Sequence, residues 1–190
     1  MFDAVQFYTP MAHEPEEDGP FVLASLHRAE NTDDPTRLGA ILQAMAKCPL
    51  PVILPLHPRT RQVLDKQGMV VDSTIRVIEP LPYLSMLGHL HTCTFVITDS
   101  GGLQKEAYFA GRKCITLRDE TEWVELVECG ANRVVGADQQ AIIEAFQWAK
   151  RPCEQSQSSQ PYGDGKAGER IVELVINIKT RTGSAAEGEC

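Results

Sequence analysis

Six short apolar and β-branched runs, at residues 21–26, 52–56, 75–78, 94–98, 114–117 and 133–135, alternate with stretches of helical periodicity. No other feature constrains the chain as much. Short buried strands separated by crossover helices pair as a parallel sheet that must be covered on both sides. The expected fold is α/β, a Rossmann-like parallel sheet with helices on both faces. Between the first two strands, Asp33 or Asp34 can cap a helix, Pro35 suits its first turn, and Leu38, Ile41, Leu42 and Met45 fall on one side. Further helices are expected at 60–66, 83–91, 102–110 and 139–150, the third of these stopped by Gly111. A polar linker at 152–159 and the turn PYGDG at 161–165 precede a last helix, on which Ile171, Leu174, Val175 and Ile178 form an apolar stripe. Residues 11–20 and 182–190 are rich in small, acidic or turn-forming types and are expected to be mobile.

Composition narrows the partners. Hydrophobic residues make up 43% of the 190, enough for a sizeable core. Against 18 Lys and Arg stand 26 Asp and Glu, a net charge of -8, which argues against nonspecific binding to nucleic acid or to an anionic membrane. An anionic ligand would need a local pocket. No apolar run approaches bilayer length and the first residues lack the pattern of a secretory signal, so a cytoplasmic location is expected. The cysteines Cys48, Cys93, Cys114, Cys129, Cys153 and Cys190 are scattered without a CxxC or zinc-ligand spacing, and read as reduced thiols with no metal.

In an open parallel sheet the ligand sits beyond the carboxyl ends of the strands. The fourth strand ends at Asp99-Ser100-Gly101-Gly102 and runs straight into a helix, so backbone N–H groups, a hydroxyl and a positive helix end converge there. That suits a phosphate, the glycines permitting close approach; the alternative is a tight turn with Ser100 or Asp99 as its cap. Glu106, one turn on, can accept from a ribose diol or can simply face solvent. Phosphate donors followed by a sugar acceptor point to a nucleotide. At the end of the first strand His27 and Arg28 can both serve an anion, and His27 can contact a diphosphate leaving group or play a structural part. His57 and Arg59 repeat the pairing after the second strand, as an anion contact or as a surface turn. In the charged loop after the fifth strand Arg118 is a candidate anion partner, or one member of a surface ion-pair cluster. Trp123 and Tyr162 read as packing or stacking residues.

Read in order, FVLASLHRAEN, ILPLHPRTR, VIEPLPYLSML, FVITDSGGLQKEAYFAGRKCITLRDETEWVELVECGANRVVGAD and PYGDGKAGERI resemble the C-terminal domain of the non-hydrolysing UDP-N-acetylglucosamine 2-epimerases, over about residues 21–171. The resemblance implies the C-terminal half of a glycosyltransferase-B-type fold. Residues 1–20 would be an interdomain connection, 21–180 the UDP-binding domain and 181–190 a tail. It implies that Ser100, Gly101 and Gly102 cradle phosphate, Glu106 holds the ribose, His27 reaches the diphosphate, and Leu81 and Met86 border the uracil. Arg28 and His57 match positions of a neighbouring regulatory UDP-GlcNAc site. Family members interconvert UDP-GlcNAc and UDP-ManNAc by eliminating UDP and adding it back, without metal or nicotinamide cofactor, and are commonly dimers. Where many relatives carry Arg-Pro after Thr-Glu, this chain has Trp123 and Val124, so that arginine contact with substrate is lost or replaced. The family's proton-transfer acids belong to the N-terminal domain, and the fragment alone is expected to be inactive. Two other readings stay open: half of a UDP-sugar glycosyltransferase, and a stand-alone regulatory UDP-sugar-binding module.

Overall fold

The computed structural model describes residues 1–151, 153 and 161–183. The expected linker at 152–159, Cys153 apart, and the tail from residue 184 onward lie outside the described residues. All six expected strands are present: β1 (Val22–Ser25), β2 (Val52–Pro55), β3 (Ile75–Ile78), β4 (Phe95–Thr98), β5 (Cys114–Thr116) and β6 (Asn132–Val134). They lie in the order β3-β2-β1-β4-β5-β6, every neighbouring pair parallel.

Side chains alternate between the two faces of a strand, and here both faces are apolar. Val22, Ala24, Val52, Leu54, Phe95, Ile97 and Ile115 point to one side. There they meet Leu38, Ile41 and Met45 of α3 (Pro35–Ala46), Leu64 of α4 (Pro58–Gln67), and Ile142 and Phe146 of α8 (Gln139–Ala149). Leu23, Ile53, Val96 and Cys114 point to the other, onto Leu87 and Leu90 of α5 (Tyr83–Thr92) and Leu103 and Ala107 of α6 (Gly101–Phe109). The result is a three-layer sandwich whose larger core lies on the α3, α4 and α8 side of the sheet. Asp34 rather than Asp33 caps α3, accepting from Thr36 N at 2.8 Å; Asp33 instead pairs with Arg59 at 2.8 Å. As expected, α6 stops where Gly111 takes a φ of 71°.

Three short helices stand where none was expected: α1 (Phe2–Tyr8), α2 (Ala29–Thr32) and α7 (Val124–Glu128). The first folds back onto the sheet-covering layer. Val5 is buried in that core and Phe2 stacks on Phe109, ring centroids 4.6 Å apart. The segment then runs along α5, with His13 N donating to Leu84 O at 3.2 Å. At Gly88 a Cβ would sit 1.8 Å from the His13 carbonyl oxygen, so only glycine permits this approach. The last helix, α9 (Ala167–Gly183), is fixed at its start by Gly168 N donating to Asp3 Oδ2 at 2.7 Å. Its predicted stripe, Ile171, Leu174, Val175 and Ile178, is exposed. Among the described residues no helix is long and apolar enough to cross a membrane.

Candidate functional site

The sheet order reverses direction between β1 and β4, so the loops that leave these adjacent strands diverge and open a crevice at their carboxyl ends. Hydroxyls line up across it. Ser25 Oγ and Thr98 Oγ1 share a hydrogen bond of 2.6 Å, and Thr98 Oγ1 accepts from Ser100 N at 2.9 Å. Ser100 Oγ accepts in turn from Leu103 N at 3.3 Å and caps α6. Of the two candidate caps it is Ser100 that serves, which aims the helix start at the crevice.

Asp99 turns the other way. Fully buried, it accepts from His27 N at 3.1 Å, Arg28 N at 2.9 Å and Asn31 Nδ2 at 3.3 Å. His27 Nδ1 lies 3.3 Å from Asp99 Oδ1. With Nδ1–H donated to the carboxylate, Nε2 is the imidazole's remaining polar atom. Asn31 extends the network: it donates to Leu117 O at 2.7 Å and accepts from Arg37, whose guanidinium is paired with Asp119 at 3.0 Å. One buried carboxylate thus ties the ends of β1, β4 and β5 together. Asn31 and Arg37 were not recognised as supports from sequence; their partners are remote along the chain, and the only local signal was the asparagine in HRAEN.

A cavity of about 300 Å³ lies against this network. His27, His57, Leu81, Met86, Ser100, Gly102 and Glu106, all singled out from the sequence, line it together with Leu26 and Leu103. Burial pushes the Glu106 carboxyl above its ordinary range, and the amino terminus offsets part of that rise. Glu106 has no hydrogen-bond donor among the described residues. His57 caps α4, its Nδ1 accepting from Arg59 N at 3.2 Å, and its ring centroid is 5.5 Å from that of His27.

The remaining candidates lie around the cavity rather than on its wall. Arg118 is held between Glu122 and Glu30, 3.4 Å from the latter, so it forms the ion-pair cluster rather than presenting a free guanidinium. Arg28 contributes its backbone N–H to Asp99. Gly101 is packed from behind: a Cβ there would meet Glu122 Oε1 at 2.5 Å and Trp123 Nε1 at 3.4 Å. Trp123 Nε1 donates to Gly101 O at 2.9 Å, and Lys105 Nζ sits 3.6 Å from the centroid of the Trp123 ring. Trp123 therefore braces the helix start. Tyr162 packs edge-on against Trp123. Among the described residues no group of three or more His, Cys, Asp or Glu is placed so that it could hold a metal ion. Cys48, Cys93, Cys114, Cys129 and Cys153 are free thiols; Cys190 lies outside the described residues.

A family model described as UDP-N-acetylglucosamine 2-epimerase matches residues 1–176. A UDP-2,3-diacetamido-2,3-dideoxy-D-glucuronate 2-epimerase of Pseudomonas aeruginosa is 45% identical over 185 residues, covering 94% of this chain and 51% of the relative. A UDP-N-acetylglucosamine 2-epimerase of Methanocaldococcus jannaschii is 36% identical over 83% of this chain and 45% of its own length. The crystal structure of the M. jannaschii UDP-GlcNAc 2-epimerase in complex with UDP-GlcNAc and UDP superposes with a TM-score of 0.81 at 33% identity, over 93% of this chain and 52% of that one. The chain spans about half the length of the relatives it matches. A parallel six-stranded sheet, the ordered motifs along it and these matches together make the chain a member of the UDP-N-acetylglucosamine 2-epimerase family.

Proposed function

We propose that the cavity between β1 and α6 holds the UDP portion of a nucleotide sugar, and that the chain is the UDP-binding half of a 2-epimerase. Ser100 and the backbone of Gly101 and Gly102 receive the phosphates, Glu106 accepts from the ribose hydroxyls, and His27 Nε2 faces the diphosphate as UDP departs. Leu81 and Met86 border the base. Arg118 acts through its acidic neighbours, and Arg28 and His57 stand where a second nucleotide sugar would bind. The observation that carries this reading is the convergence of six residues nominated for UDP, His27, Leu81, Met86, Ser100, Gly102 and Glu106, on one cavity at a capped helix start.

The whole enzyme interconverts UDP-GlcNAc and UDP-ManNAc by eliminating and re-adding UDP, as a dimer in the cytoplasm. Its proton-transfer acids come from a preceding half, against which the exposed apolar face of α9 rests. The chain alone binds UDP weakly and turns nothing over. A second substrate has support of its own: the relative 45% identical to this chain is named for a diacetamido glucuronate, whereas the M. jannaschii relative named for UDP-GlcNAc is 36% identical. Titration of UDP against the parent chain and Glu106→Ala tests the site, with about tenfold weaker binding expected for the variant. Equal affinities remove the ribose contact. Supplying the intact enzyme with each UDP-sugar separately decides between the two substrates.

A further inference from the structure

The opposite end of the sheet carries a second cavity, of about 440 Å³, where the chain enters β1, β4 and β5. Arg112, Lys113, Lys150 and Arg151 line it, and among the described residues no aspartate or glutamate does. None of the four cations forms an ion pair among the described residues, although the chain as a whole carries a net charge of -8.

Two of the cations are drawn inward. Lys113 is only 9% exposed; its Nζ donates to Trp148 O at 3.3 Å and lies 4.7 Å from the Trp148 ring centroid. Arg112 Nη2 donates to His91 O, while its Nε is shut off from solvent with no acceptor among the described residues. Burial, and then the Arg112 charge, lower the pKa of His91. A buried lysine and a partly buried arginine, with no counter-charge among the described residues, weaken a fold unless an anion completes them.

We propose that this cavity is a binding site for a small, multiply charged phosphate anion, separate from the nucleotide cavity. Four positive charges match a diphosphate rather than a lone carboxylate, which would leave most of them uncompensated. The arginine fork and the lysine ammonium supply the planar and point-like donors that phosphate oxygens take. A strand of four residues spans roughly 13 Å, so a ligand here and one beyond Ser100 occupy opposite ends of β1 and β4 without touching.

Inorganic pyrophosphate titrated into the 15N-labelled chain is the direct test. The amides of Thr94, Gly111 and Lys113 should shift saturably, while UDP moves those of Gly101 and Gly102. Lys150 and Arg151 are exposed, so the double variant Lys150→Gln/Arg151→Gln should fold as the parent does and bind pyrophosphate about tenfold or more weaker, with UDP affinity unchanged. The proposal is overturned if sodium chloride at equal ionic strength moves the same amides as far, if pyrophosphate shifts only the Gly101 and Gly102 amides, or if the double variant binds as tightly as the parent.

Discussion

The two ends of the sheet handle charge in opposite ways. At the carboxyl end Asp99 is buried yet surrounded by donors, and Arg37, Arg59 and Arg118 each have a carboxylate partner. At the amino end Arg112, Lys113, Lys150 and Arg151 crowd together with none among the described residues. Self-satisfied charges hold a shape ready for a ligand. Uncompensated ones wait for a ligand to complete them. The same sheet therefore carries one edge built for geometry and one built for charge.

Substitutions sharpen this contrast in descending order of effect. Asp99→Ala strands the N–H groups of His27 and Arg28 and the Asn31 amide, and should cost about 3–5 kcal/mol in urea unfolding. A loss below about 1 kcal/mol would mean that the carboxyl end is not tied together as described. Trp123→Phe keeps the ring beside Lys105 but loses the bond to Gly101 O, for about 1 kcal/mol and a shift of the Gly101 amide resonance. Glu106→Gln tests the cavity itself. A carboxyl whose pKa is raised by folding stays protonated longer in the folded chain, so its ionisation erodes stability as pH climbs from the ordinary carboxylate range through the raised value. The glutamine variant should melt above the parent at pH 7 and together with it at pH 4; identical curves at both would deny the burial effect. Least of all, Lys150→Gln should change stability by no more than about 0.5 kcal/mol, since that exposed lysine has no ion-pair partner among the described residues.

The six strands and the helices that cover them were legible because their apolar spacing repeats the periods of strand and helix. What escaped was short or remote. In α1 Val5 is the buried residue, and α2 and α7 span four and five residues, too few to impose a period. At the site, the residues that line the cavity were readable from the phosphate-and-sugar logic of DSGG followed by Glu106. The role of Asp99 as a tie was not, since its donors lie 68 to 72 positions away in the chain. Spacing on α8 and α9 looks alike, yet Ile142 and Phe146 are buried while Ile171 and Leu174 are exposed. Periodicity shows that a helix has an apolar side and leaves open what covers it.

The docking of α1 has a practical corollary. Phe2 is clamped on Phe109, and a Cβ on Gly102 would lie 3.9 Å from Met1 Cε, so the start of α1 stands at the doorway of the cavity lined by Ser100 and Glu106. Prying α1 loose, as Phe2→Ala would, therefore opens that doorway and uncovers Val5 together, so a changed ligand affinity in such a variant would report where the helix lies as much as what lines the cavity.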